Sequence, residues 1–188
     1  MYSEEDYTVR RPVVPYNDMM SAGHRVAEGM TLLSGKPSGS VLRAAEMIGR
    51  YMRREFGYDF PMFTARAWPV RGLYLLHETD YEQHPVWRFR VIGAVQVSPE
   101  RWQSAERPIE TLTWAWLHPF YRNRGVLRAA WKDLESRHGS MAVQPPLSPA
   151  MRAFLVGKQS GSVGTIALYG SASCKVKKQT QALEHEHE

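Results

Sequence analysis

The sequence holds one cysteine, Cys174, so no internal disulfide can brace the fold. No Cys or His stands at ligand spacing around it, which excludes a thiolate zinc site, and no metal is expected. There is no run of the roughly 20 apolar residues that a membrane helix needs, and the opening, MYSEEDYTVRRP, lacks the apolar stretch of a signal peptide. No membrane partner is expected, and the cytoplasm is the default compartment. Internal repeats are absent too, and the Gly/Ser-rich stretch at 157–164 reads as a loop rather than a domain linker.

What remains is an ordinary globular composition, 43% hydrophobic and 23% charged over 188 residues, enough to bury one full core. Residues 1–182 are expected to form a single domain, with 1–16 a partly ordered arm or an edge strand. The last six residues, LEHEHE, look like a purification-tag remnant. Setting aside its three glutamates raises the formal net charge from +5 to +8. That surplus favours anionic partners, whether nucleic acid or a phosphate-bearing cofactor, without choosing between them.

Periodicity predicts a helix over 17–34, with Asn17 or Asp18 to cap it and Met20, Val26, Met30 and Leu33 for burial. A second helix is predicted over 40–56, where Val41, Ala45, Ile48 and Met52 recur at helical spacing and Gly57 supplies the stop. The period then turns to alternation. Strands are predicted near 63–68, 73–78, 87–97 and 111–117, with Asp80, Glu82 and Pro85 in the turn between the second and third. A helix from Gly125 to about His138 carries the apolar stripe Leu127, Ala130, Trp131 and Leu134, and Gly139 ends it. A short strand over 141–143, a helix capped by Ser148 and Pro149, and a last strand over 165–169 complete the expectation.

The segment that carries chemistry is WAWLHPFYRNRGVL, residues 114–127, a hydrophobic strand running into a basic turn that opens a helix. The first amides of a helix lack intrahelical partners and lie at the positive end of its dipole, so an anion placed there gains hydrogen bonds and field together. Arg122, Arg124 and Arg128 add charge, and Gly125 lets the backbone approach a ligand with no Cβ between.

On these residues the sequence resembles the Gcn5-related N-acetyltransferases, whose pyrophosphate loop reads Arg/Gln-x-x-Gly-x-Gly/Ala after a strand that often ends in hydrophobic-His-Pro-x-Tyr. His118, Pro119, Tyr121, Arg122 and Gly125 match, while Leu127 takes the place of the second small residue. The likeness spans about 86–156. It implies an α/β fold with a mixed, mostly antiparallel central sheet that splays after Leu117 and is flanked by helices on both faces. It also implies acetyl-CoA as acyl donor, moved by direct attack of an amine. The backbone of Trp116, Leu117 and His118 would pair with the pantetheine amides. Arg122, Asn123, Arg124, Gly125, Val126 and Leu127 would hold the pyrophosphate. The proline-rich turn and helix VQPPLSPAMRAFL, with the late strand TIALYG, are similar in shape to the cohesin acetyltransferases. The catalytic positions of that group do not carry over, since Gln144 stands where it has an aspartate and Pro119 where it has a serine.

An attacking alkylamine must first lose a proton, because its pKa near about 10 keeps it charged at neutral pH. Several relatives place a catalytic glutamate on this strand at about the distance before the loop at which Glu110 stands. Strict alternation sets Glu110 on one face with Leu112, Trp114, Trp116 and His118. His118 reads as a structural residue of the turn, and Glu78, Asp80 and Glu82 as acids able to meet a cation. The tyrosine that many relatives use as acid falls near Phe154 or Leu155, neither of which can donate; Tyr121 or Tyr169 could substitute only if the fold brought it close. Trp87, Phe89, Trp102, Trp114 and Trp116 read mainly as core. The acceptor, a small molecule or a protein bearing an amine, is not legible. Two rival readings follow. A non-catalytic relative is suggested by Leu127 and the missing tyrosine, and a nucleic-acid-binding module by Arg50, Arg53, Arg54, Arg122, Arg124 and the 175–178 segment.

Overall fold

A computed structural model of the chain describes residues 9–80, 87–102 and 105–159. The expected strand at 165–169, Cys174, Tyr169, Glu82, Pro85 and the basic 175–178 segment lie outside the described residues.

Seven strands form one sheet in the order β2-β3-β4-β5-β6-β7, with β1 beside β5. They are β1 (Val13–Pro15), β2 (Gly23–Ala27), β3 (Met30–Leu33), β4 (Leu73–Asp80), β5 (Arg88–Glu100), β6 (Ile109–Leu117) and β7 (Ala142–Val143). Every pairing is antiparallel except β6 with β7. The α-helices among the described residues are α1 (Tyr16–Met20), α2 (Gly39–Phe56), α3 (Val126–His138) and α4 (Pro149–Gln159).

The sheet is sandwiched. Alternation sends Leu73, Leu75, Val91 and Trp116 toward Val41, Ala45 and Ile48 of α2. The opposite set, Tyr74, Leu76, Ile92, Val95 and Leu112, packs on Trp131 and Leu134 of α3 and Leu155 of α4. The expected mixed, mostly antiparallel sheet with helices on both faces is the observed architecture. Helix α2 ends as predicted at Gly57, whose φ of 68° is left-handed, and Ser148 caps α4 by accepting the Met151 amide at 3.1 Å.

Two expectations are corrected. The helix over 17–34 stops at Met20, and the rest is the β2–β3 hairpin. Gly29 turns the hairpin at φ 71°, and an added Cβ there would lie 2.8 Å from the His77 carbonyl, so the position suits neither a helix interior nor a larger residue. Met20, assigned to the core, is 46% exposed, whereas Met19 is buried. The strand near 63–68 is instead a 3-10 turn at Ala65–Ala67. Its Ala65 amide is claimed by the Glu46 carboxylate of α2 at 3.2 Å, and Phe63 packs against the helix at Gly49, which removes both from any ladder.

Candidate active site

The site begins with one extra residue in β6. Val97 of β5 faces Leu112 and Gln96 faces Trp114, so Thr113 is a β-bulge. The alternation therefore resets. Leu112 and Glu110 address α3, while Trp114 and Trp116 address α2, and the expected single face from Glu110 to His118 does not form. At the same place β6 and β7 part, since their parallel pairing covers only Thr111↔Ala142 and Leu112↔Val143. The splay thus starts after Leu112, not after Leu117 as expected.

A cleft of about 500 Å3 runs through this opening, with Thr113, Ala115 and Gln144 among its walls and Met52, Phe60 and Glu100 toward α2. On the β6 side the free backbone is fixed by register. The His118 amide donates to Ile92 at 2.8 Å, so His118 and Trp116 turn toward β5, and alternation leaves Ala115 and Leu117 on the open side. Of the three residues expected to pair with pantetheine, only Leu117 has its main chain there, and its carbonyl accepts Arg122 Nε at 3.0 Å.

The basic turn after β6 is built from two left-handed residues, Asn123 at φ 60° and Gly125 at φ 80°, and Gly125 is the N-cap of α3. A Cβ at Gly125 would meet no atom within 4 Å, so the face of the loop is open. Arg124 and Arg128 are exposed, and the Arg124 guanidinium lies 4.0 Å from the centre of the Phe120 ring. Arg122 turns the other way. Both its terminal nitrogens donate to Glu55 at 2.6 Å, and it lies over Trp116, whose indole donates to the same carboxylate at 2.8 Å. Burial would raise the Glu55 pKa, but the bonds from Arg122 and Trp116 and the guanidinium charge outweigh it and hold the carboxyl below its usual value. Arg122 is therefore a brace between the loop and α2. Val126 and Leu127 point into the α3 core cluster, so the bulk of Leu127 is accommodated there.

His118 is 1% exposed; its Nε2 lies 2.6 Å from the Val9 carbonyl and its Nδ1 accepts the Phe120 amide at 3.3 Å, a turn-setting role. Glu110 faces the end of α3, with Oε2 2.9 Å from His138 Nδ1, and His138 Nε2 is 2.6 Å from the Tyr74 hydroxyl. It does not line the cleft. Glu78 is bonded to Arg11 and to the Tyr121 hydroxyl, and Asp80, a strand residue, takes Arg90 Nε at 2.8 Å. The carboxylate inside the cleft is Glu100, which accepts Ser98 Oγ at 2.8 Å and shares its face of β5 with Gln96. Sequence reasoning missed it because the end of β5 was set at residue 97. Tyr58, also in the cleft wall, was missed as part of an apparently plain helix-terminal loop.

No protein-family model and no curated protein matches the chain. Among solved structures it is similar to the xEco2 acetyltransferase domain, with a TM-score of 0.51 and 14% identity over 77% of this chain and 91% of that one. The fold is that of the Gcn5-related N-acetyltransferases. Weaker likenesses are a ribosomal-protein-alanine N-acetyltransferase from Brucella melitensis biovar Abortus, at TM-score 0.45, 14% identity and coverage of 78% and 96%, and an aminoglycoside acetyltransferase from an uncultured soil metagenomic sample, at 0.38, 14%, 72% and 89%. Within the acetyltransferase fold α4 offers no phenol at the expected place: Leu155 is buried and Phe154 meets Trp131 edge-on at 5.2 Å. No cluster of metal-ligating side chains occurs among the described residues, and no helix there is long and apolar enough to cross a membrane.

Proposed function

We infer that the protein is an N-acetyltransferase that moves an acetyl group from acetyl-CoA to an amine by direct attack. The observation that carries this reading is the opening of β6 from β7 at Leu112, beside the Thr113 bulge and ahead of the α3 N-terminus. The residues suit such a donor. The edge of β6 at Ala115 and Leu117, which no described strand pairs, would hold its amides as a further strand does, with the Leu117 carbonyl also accepting Arg122 Nε, and the open face at Gly125 with the first amides of α3, Arg124 and Arg128 would hold its phosphates. Arg122 would act on the phosphates through the loop shape it sets with Glu55, rather than as a direct ligand.

The donor supplies an activated thioester carbonyl. The chain supplies placement and proton removal. Glu100, in the cleft wall, would accept the proton that the bound ammonium sheds, so that the neutral amine nitrogen can form the new C–N bond as the C–S bond breaks. Glu110 is the second candidate base, and its engagement with His138 outside the cleft ranks it behind Glu100. With no phenol on α4 at the expected place, the departing thiolate takes its proton from water or from Tyr58.

Calorimetric titration with acetyl-CoA tests the donor site. Micromolar binding by the wild type, lost in Gly125→Glu, is expected; no binding by folded wild type would remove the reading. Detection of free CoA across an amine panel then separates an enzyme from a non-catalytic relative that retains the donor.

A further inference from the structure

The exposed side of α2 forms a groove of about 680 Å3 lined by Arg50, Arg53, Arg54, Glu46, Tyr58 and Pro61, among others. Tyr58 and Pro61 also line the cleft, so groove and cleft adjoin across these two residues. The three arginines stand at i, i+3 and i+4 and thus on one helix face, and all are exposed. Arg53 Nε donates to the Tyr58 carbonyl at 3.1 Å, and Arg54 lies 5.6 Å from the centre of the Tyr51 ring. Glu46, the carboxylate in the lining, is already engaged. It accepts Arg50 at 2.5 Å and the Ala65 amide, and these contacts, led by the amide bond, hold its pKa below the ordinary value against the opposing effect of burial. The groove is therefore net positive.

The two ends ask for opposite charges. Glu100 in the cleft attracts a cation, the arginine groove attracts anions, and Phe56 and Phe60, 37% and 68% exposed, form an apolar wall in the cleft. A polycationic amine has nothing to offer the groove, and a nucleic acid has no ammonium to offer Glu100. A peptide satisfies both when it carries its acceptor amine a few residues from acidic side chains.

We propose that the acceptor is a lysine or N-terminal amine of an acidic peptide segment, whose carboxylates lie on Arg50, Arg53 and Arg54 while the amine enters the cleft. This rests on the donor reading above. The arginines would act mainly on acceptor affinity and on its salt dependence, because they lie outside the donor site.

The test uses three peptides with one central lysine and flanks of Asp/Glu, Ser or Lys, labelled for anisotropy in the presence of CoA and assayed for acetylation with acetyl-CoA. The acidic peptide should bind on the order of tenfold more tightly than the Ser peptide and lose that advantage in Arg50→Gln/Arg54→Gln or at raised salt. Calorimetry of the same variant should show unchanged acetyl-CoA affinity. Equal binding of all three peptides, or an acidic preference that survives the double variant, would overturn the proposal while leaving the donor reading intact. Equally tight, CoA-independent binding of a single-stranded oligonucleotide would overturn it in favour of nucleic acid. Loss of acetyl-CoA binding by the wild type itself would instead mark failure of the donor reading.

Discussion

His77 is 6% exposed, its Nε2 is 2.9 Å from the Thr31 hydroxyl, and its Nδ1 has no partner among the described residues. Burial, helped by the charge of Arg25, lowers its pKa from 6.5 to about 4. Because the folded pKa is the depressed one, the stability tied to neutral His77 is complete above pH 6.5 and drains as pH falls toward 4. The full loss is roughly 3 kcal/mol. Glu46 and Glu55, whose carboxyls are also held low, lose their share only below their unfolded value of 4.5, so the window from 6.5 to 4.5 belongs to His77 among these groups. Urea unfolding at pH 7 and pH 5 should show the loss in wild type and a flatter response in His77→Gln; equal slopes would exclude His77 as its source. For catalysis, Glu100→Gln is expected to reduce kcat by at least about a hundredfold with donor affinity unchanged, and Glu110→Gln to change it little. A reversed ranking would return the base to Glu110. The strand, basic turn and helix around Arg122 to Leu127 were legible because they are contiguous in sequence. Glu100 was not, since its membership of the cleft depends on which face the end of β5 presents.

The bulge at Thr113 is the element that decides the site. Without it, either Trp114 and Trp116 leave the α2 core or Leu112 leaves the α3 core, because a one-residue slip exchanges the faces of a strand. Deleting Thr113 should therefore abolish cooperative unfolding and collapse the near-ultraviolet signal of the tryptophans. Thr113→Ala, which keeps the bulge but removes the hydroxyl bond to the Gln96 carbonyl at 3.2 Å together with the γ-methyl, should cost about 1 kcal/mol. Ser148→Ala should likewise cost about 1 kcal/mol through the lost cap of α4, readable as a shifted urea midpoint at constant slope. Long amphipathic elements such as α2 and α3 could be read from periodicity, and so could the interiors of β4, β5 and β6. The β2–β3 hairpin could not. Met30 and Leu33 suit a helix stripe as well as a strand, and the decision was made by pairing with β4, a contact remote in sequence.

Across the whole molecule, the first described residues bind together parts that the chain separates widely. The carbonyls of Val9, Arg10 and Pro12 accept bonds from His118, the Tyr51 hydroxyl and the Val91 amide, and Arg11 joins Glu78 and Tyr121. Removing residues 1–12 is expected to lower the melting temperature and weaken acetyl-CoA binding about tenfold, since the loop loses the support under His118 and Tyr121. A truncated protein with full donor affinity would show that the loop holds its shape alone. The arm was foreseen as an extended segment or edge strand, but its contacts could not be, because none is local. Its position also sets a schedule. On the ribosome residues 9–12 emerge well before the His118 ring that meets the Val9 carbonyl, which arrives 109 residues later. Until His118 has been made this segment has no completed berth, so the loop after β6 takes its final shape only after an early part of the nascent chain has returned to meet a much later one.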